Sequence, residues 1–319
     1  MEKKLVISPS PHVYGGENTL RLMLDVLVAL APALAVSFWV YGWNVLVVTA
    51  VSIASCVAAE WLLQRFLLRG PLTVGNLSAV VTGTLLAFNL PSTLPLWMVA
   101  TGALVAIGVG KMSFGGLGRN PFNPALVGRV FLLLSFTGAM TTFPAVTDAV
   151  TGATPLGFIK GGLKSGLSIS ELASQLSYAD LLFGFKSGSF GEISALALIL
   201  GGIYLMIRRV ISWHIPATVL GSMALLSGVL WLADPSSYMS PLFHLLTGGA
   251  MLGAFFMATD YSTSPMNRRG MVVFGVGIGL LTMTLRLWSA YPEGMSFAIL
   301  IMNAFVPLIN KYVKPRRFA

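Results

Sequence analysis

Cysteine is nearly absent from this chain: Cys56 is the only one in 319 residues. That excludes an internal disulfide, and any iron–sulfur cluster ligated by this chain's thiolates alone. Inside an apolar run, Cys56 reads as a small packing residue. Histidine is scarce too. His12, His214 and His244 lie far apart, without the short ligand spacing of a metal site, so neither zinc nor haem is expected. Charge is the third shortage, at 10% of residues against roughly 25% in soluble domains. Acidic residues are the scarcer sign, 11 against 20 basic ones, for a formal charge of +9. The basic residues form no stripe interleaved with aromatics, so nucleic-acid binding has no support.

What is present is apolar length. Mean hydropathy is +0.82 and 55% of residues are hydrophobic. Nearly uncharged runs of membrane length recur, which predicts an all-α integral membrane protein embedded in lipid. About ten spans can be drawn. They cover residues 20–41, 45–68, 77–90, 96–110, 125–136, 193–207, 215–232, 241–258, 271–288 and 295–309. The run 77–90 is too short to cross a core of about 30 Å as a helix. Pro91 follows it, so it reads as a half-helix plus an extended stretch. About 20 polar residues precede the first run, the wrong order for a cleavable signal peptide, so that run is expected to stay as a membrane helix.

Basic residues orient the spans. With both termini cytoplasmic, only Lys160, Lys164 and Lys186 fall in outer segments, and Arg129 and Arg286 within spans; the other basic residues are cytoplasmic. The expected layout is a cytoplasmic arm (1–19), a first membrane repeat (20–137), an extracytoplasmic segment (138–192), a second membrane repeat (193–310) and a basic cytoplasmic tail (311–319). The repeats rest on two likenesses. VTGTLLAFNLPST (81–93) resembles LTGGAMLGAFFMATDYSTSP (246–265), and NPFNPAL (120–126) resembles NAFVPLI (303–309). Five spans per half make the two repeats inverted, and broken half-helices at matching places point to a central site or pathway.

Several residues are candidates for chemistry. In GGLGRNPFNPA, Gly115, Gly116 and Gly118 permit positive φ, and Asn120 is placed to cap a helix with Pro121 at its first position. One reading is a plain helix entry. The other makes Gly115, Gly116, Asn120 and Asn123 part of a flavin or ion pocket, with Lys111, Arg119 or Arg129 near an anionic group. No strand–turn–helix surrounds these glycines, so a dinucleotide site is not expected. Asp25 and Glu60 are the carboxylates within spans and are ion-pathway candidates. Asp25 also stands four residues from Arg21, a helix-surface pairing distance. These two carboxylates do not make a complete proton relay. Residues 260–265 read as a polar cytoplasmic loop.

The longest hydrophilic stretch contains DAVTGATPLG, in which Asp148, Thr151, Gly152, Ala153 and Thr154 spell D-x-x-T-G-A-T. Alone, these small residues are most simply a turn. A threonine hydroxyl can carry a phosphate ester, and Gly152 and Ala153 leave room for a bulky group. Pro155 biases Thr154 to extended backbone, which is expected to present its side chain outward.

With this motif, FGGLGRNPFNPALVGR (114–129), NLSAVVTGTLLAFNLP (76–91) and YPEGMSFAILIMNAFVPLIN (291–310), the chain resembles the RnfD family, the D subunits of Rnf electron-transport complexes. It is similar also to the related B subunits of the sodium-pumping NADH:quinone reductases. The resemblance covers nearly the whole chain. It implies FMN linked through its phosphate to Thr154, with Asp148, Thr151, Gly152 and Ala153 as motif companions. A separate flavin transferase would install it. The implied role is one part of a translocase in the cytoplasmic (inner) membrane, moving sodium or protons and not catalytic alone. Other Rnf subunits would bring electrons between ferredoxin and NAD. A second, non-covalent riboflavin with unassigned ligands is a further candidate. Two other readings stay open: a urea- or ammonium-channel-like solute transporter built on the repeat axis, and a purely structural scaffold. A channel would have no use for the D-x-x-T-G-A-T loop.

Overall fold

In lipid, a backbone must satisfy its own hydrogen bonds, and helices do this within one segment. The computed structural model describes residues 18–69, 72–144, 151–289, 291 and 293–314. The first half contains α1 (Thr19–Tyr41), α2 (Trp43–Leu62, continued to Leu68 in wider turns), α3 (Ser78–Phe88), α4 (Leu96–Gly108) and α5 (Pro124–Ser135). A polar stretch follows with α6 (Thr137–Thr141), β1 (Phe143–Pro144), β2 (Thr151–Gly152), α7 (Pro155–Lys164), α8 (Ile169–Ser174) and α9 (Tyr178–Phe183). The second half holds α10 (Ala195–Ile207), α11 (His214–Ala233), α12 (Pro241–Leu246), α13 (Ala250–Leu252), α14 (Arg268–Trp288) and α15 (Met295–Tyr312).

Among the described residues, six helical stretches are long and apolar enough to cross a membrane: Thr19–Tyr41, Trp43–Leu68, Leu96–Phe114, His214–Ala233, Arg268–Trp288 and Met295–Tyr312. The helices α3, α5 and α10 are apolar but shorter. The chain is thus a multi-pass, mostly helical membrane protein.

The short helix α3 is buried at every residue except Val80. Residues 89–92, beyond its end, are buried as well. Irregular backbone at membrane depth is tolerated where protein, not lipid, surrounds it. The α2 helix packs on α3 and α4, α4 on α5, α11 on α14, α14 on α15, and α1 on α10. The α1–α10 crossing is close: a Cβ at Gly201 would lie 2.1 Å from the Ala29 carbonyl oxygen. Small residues permit such contacts between membrane helices.

Two expectations need correction. The run 241–258 is not one helix. It breaks after Leu246, where Gly248 and Gly249 adopt φ of 61° and 67°, and resumes as α13 and a wider-turn continuation, Gly253–Met257. Two adjacent glycines enter the left-handed region without a Cβ penalty, and the buried Arg286 caps the freed carbonyls. The cap of α5 also lies one Asn-Pro step later than expected, although the helix starts where the apolar run does. Asn123, not Asn120, is its N-cap: its Oδ1 accepts from the backbone N–H of Ala125 (3.1 Å) and Leu126 (3.3 Å), with Pro124 at the first position. The two Asn-Pro steps are equivalent as sequence. Asn120 instead turns its amide to the Phe122 carbonyl at 3.0 Å.

Candidate functional site

The short ladder between β1 and β2 pairs Phe143 with Gly152 and Pro144 with Thr151, antiparallel. It delivers the chain through Ala153 to Thr154, the N-cap of α7. Thr154 has φ −61° and ψ 154°, the extended backbone expected before a proline. Its side chain is not outward, however. Thr154 is buried at 6% exposure, and its Oγ1 accepts from the Gly157 N–H at 3.2 Å. An N-cap turns its oxygen back onto the first helical turn, and that turn faces protein.

Thr154 lines a cavity of about 230 Å³ together with Asn89, Arg129, Leu133, Met140, Phe143, Ala153, Tyr291 and Glu293. Sites enclosing a whole small ligand span roughly 300–1,000 Å³, so this one suits part of a larger group. Apolar and aromatic walls meet a concentrated polar end. There the Arg129 guanidinium pairs with the Glu293 carboxylate and donates to Asn89 Oδ1 at 2.6 Å. Glu293 Oε1 is buried without a partner. Lys160, on α7, donates to the carbonyls of Ser289 (2.7 Å) and Tyr291 (3.1 Å). That ties the Thr154 helix to the segment bearing Tyr291 and Glu293. Partial burial, then the neighbouring Lys164, hold the Lys160 ammonium below its usual pKa.

Beside this cavity, the break between α12 and α13 frees carbonyls that a continuous helix would use. Arg286 answers them. Its Nη1 donates to the His244 carbonyl at 2.5 Å, and its Nη2 to Thr247 and Gly248, both at 2.8 Å. Lys186 donates to the Leu246 carbonyl at 2.6 Å. Burial presses Lys186 down to about 8, against the pull of Glu192. Glu192 occupies the opposite side of the break. A Cβ at Gly249 would lie 2.6 Å from its Oε2, which is buried without a partner. Cations therefore stand at the C-terminal end of the first half-helix and an anion near the start of the second, the favourable sign at each end of a helix dipole.

A smaller cavity of about 80 Å³ is lined by Ser78, Lys111, Asn120, Asn123, Thr259 and Asp260 among others. Lys111 Nζ lies 2.6 Å from Glu60 Oε2, with side chains 2% and 0% exposed. It also donates to Ser78 Oγ at 2.6 Å. Asn120 Oδ1 is buried and unpartnered. Asp260 accepts from the hydroxyls of Ser262 (3.0 Å) and Thr263 (3.2 Å).

The expected site residues thus fall in three places. Gly152, Ala153 and Thr154 lead into the larger cavity, and Ala153 and Thr154 line it. Thr151 is in β2, and Asp148 lies outside the described residues. Asn120 and Asn123 line the smaller cavity, with Glu60 behind its Lys111 wall. Gly115 and Gly116 have the expected positive φ, 100° and 96°, in the loop before α5, but do not line that cavity. Asp25 stands apart from both. It accepts from Tyr204 Oη at 2.9 Å and pairs with Arg208 at 3.3 Å, a partner beyond the helix-surface one expected. Sequence reasoning missed Glu192, Lys186 and Arg286 as a buried set, with the part-buried Glu293 beside them. The available signal was that Arg286 sits within an apolar run, where an ionisable residue has a partner by default. Among the described residues, no group of three or more His, Cys, Asp or Glu is placed to hold a metal ion.

Comparison with known proteins gives the family. The model of the NQR2, RnfD, RnfE family matches residues 6–319. The chain is 44% identical over 319 residues to the D subunit of the Na(+)-translocating ferredoxin:NAD(+) oxidoreductase complex of Acetobacterium woodii, covering 99% of this chain and 95% of that one. It is 40% identical over 316 residues to the D subunit of the proton-translocating ferredoxin:NAD(+) oxidoreductase complex of Clostridium ljungdahlii, covering 98% and 95%. It is also 40% identical over 338 residues to the D subunit of the ion-translocating oxidoreductase complex of Halorhodospira halophila, covering 96% and 93%.

Proposed function

Since the chain belongs to the NQR2, RnfD, RnfE family, we propose that it is the membrane-embedded RnfD component of an ion-translocating oxidoreductase complex. The complex passes electrons between ferredoxin and NAD and moves sodium or protons. The chain is one part of that translocase and carries FMN phosphoester-linked to Thr154.

The observation that carries the flavin reading is the placement of the Thr154 hydroxyl. It sits at the N-terminus of α7, beside a cavity with an apolar body and a charged end. The residues fit the group. A phosphoester on an N-cap oxygen lies at the positive end of the helix, where backbone N–H groups and the dipole favour an anion. A Cβ at Gly157 would come within 3.2 Å of Thr154 Oγ1, so glycine leaves that oxygen room. Leu133, Met140, Phe143 and Tyr291 offer apolar and aromatic surface to a ring. When bound, FMN supplies acceptance of electrons singly or in pairs, and the protein positions it and sets its potential. This chain's contribution is burial, orientation and the Arg129–Glu293 field. A flavin transferase is the installing partner. Other Rnf subunits bring the electrons, because a single cysteine offers this chain no cluster ligation.

A second, non-covalent riboflavin remains a candidate near Asn120 and Asn123, which line the smaller cavity of about 80 Å³, where Asn120 Oδ1 is buried without a partner. Glu60 and Asp25 remain the ion-pathway candidates, Glu60 through its contact with Lys111 at that cavity. The ten-span, inverted-repeat layout is supported by parallel packing. The α2–α4 and α4–α5 contacts in one half correspond to α11–α14 and α14–α15 in the other, with α1 and α10 packed together. Basic-residue placement supports cytoplasmic termini and an outer-face Thr154 in the inner membrane.

The test is ferredoxin-dependent NAD reduction in inverted membrane vesicles, with ion uptake followed in parallel, for wild type and Thr154→Ala. Loss of both activities with the complex still assembled is expected. Full coupled activity in an assembled Thr154→Ala complex would refute the redox role.

A further inference from the structure

The charged end of the larger cavity has a specific chemical polarity. Arg129 lies at 6% exposure, with one terminal nitrogen on Asn89 and the other on Glu293. A guanidinium carries five N–H donors, so those two contacts leave others for the cavity that Arg129 lines. Glu293 gives one carboxylate oxygen to Arg129, and its other oxygen, Oε1, is buried without any partner. A buried acceptor without a donor is costly, and one beside a cavity points to a ligand N–H. The two residues come from distant parts of the chain, α5 and the segment before α15. Asn89, at the end of α3, holds Arg129, and Lys160, on α7, holds the segment carrying Glu293 through the Ser289 and Tyr291 carbonyls.

We infer that Arg129 and Glu293 form a donor–acceptor clamp for the imide edge of the flavin ring: a guanidinium N–H donates to a ring carbonyl, and Glu293 Oε1 accepts the ring N–H. This rests on the reading of Thr154 as the flavin attachment point. The ring edge alternates carbonyl, N–H and carbonyl, which matches a guanidinium beside a free carboxylate oxygen. The clamp also sets the redox balance. Reduction places negative charge on the ring. A fixed cation at its edge favours the reduced form, and a fixed anion disfavours it. The two residues therefore act on the potential with opposite signs while sharing one contact.

The experiment is a spectroelectrochemical titration of the full chain, expressed with the flavin transferase and purified in detergent. Wild type, Arg129→Gln, Glu293→Gln and the double variant are compared. Covalent loading is read first, by flavin fluorescence of the denatured band. Arg129→Gln is expected to lower the midpoint potential and Glu293→Gln to raise it, with the double variant near wild type. A tenfold change in the preference for the reduced ring reads as about 30 mV for a two-electron couple. A merely structural role would loosen the site in both single variants and move the potentials the same way, not oppositely. Loaded single variants with unmoved or like-signed potentials overturn the clamp. If one single variant fails to fold, the sign of the other decides: a lowered potential in Arg129→Gln or a raised one in Glu293→Gln supports the clamp, and no shift or the opposite sign overturns it. A dark wild-type band fails the attachment reading itself, and so is distinguishable from failure of the clamp.

Discussion

Replacing Glu60 by glutamine should be one of the most damaging single-atom-scale changes in the membrane interior. The substitution keeps shape and removes charge. At 2.6 Å from Lys111 Nζ, the gross attraction is about 6 kcal/mol at an effective dielectric of ~20, much of it offset by desolvation of both ions. What counts is the uncompensated partner. Lys111, 2% exposed, would keep Ser78 Oγ and a neutral amide oxygen but lose its counter-charge, and breaking a buried pair this way costs about 3–5 kcal/mol. Lys111→Met should cost a similar amount, because Glu60 would be left with Gln64 (3.2 Å) and Thr73 (3.3 Å). The double variant Glu60→Gln with Lys111→Met should cost less than either single one, since replacing a whole buried pair is often near neutral. Thermal melting of the detergent-purified chain measures this. At about 2–4 °C per kcal/mol for a domain of this size class, single variants should melt on the order of 10 °C lower. If Glu60→Gln melted like wild type, the ion-pair reasoning would fall.

Arg286→Met should orphan the carbonyls of His244, Thr247 and Gly248; each buried unsatisfied group costs about 1–3 kcal/mol, so a sharp drop in the yield of folded chain on size-exclusion chromatography is expected. Asn123→Ala removes the α5 cap and should cost about 0.5–2 kcal/mol, read as a modest drop in melting temperature, whereas Asn120→Ala should cost less because Asn120 caps nothing. Gly201→Ala places a Cβ 2.1 Å from the Ala29 carbonyl oxygen, so α1 and α10 must separate; protease sensitivity between these helices should rise. Lys160→Met cuts the tie to Ser289 and Tyr291 and should increase quenching of the proposed Thr154-linked flavin by an aqueous quencher without abolishing covalent loading.

Hydropathy made the apolar segments legible, because run length and lack of charge are local properties. The half-helix at α3 was legible for the same reason, from its length and Pro91. The break at Gly248 and Gly249 was only hinted at, by likeness to residues 81–93. A glycine pair in an apolar run is equally compatible with a continuous helix, and the cap that decides the matter, Arg286, comes about 40 residues later. The contacts that build the candidate site were not legible at all. Arg129 meets Glu293 across 164 residues, and Lys111 meets Glu60 across 51. Such pairings depend on how helices are placed, which spacing along one segment does not encode. Thr154 shows the same division. Its extended backbone follows from Pro155, but the burial of its hydroxyl depends on which surface α7 packs against.

The most direct measurement is flavin fluorescence of this chain on a denaturing gel, wild type beside Thr154→Ala, expressed with the flavin transferase. It is paired with the mass of the peptide containing Thr154. A fluorescent wild-type band, a peptide heavier by one FMN less water, and a dark variant are the predicted result. A dark wild-type band despite an active transferase, or fluorescence that survives in Thr154→Ala, would contradict the account.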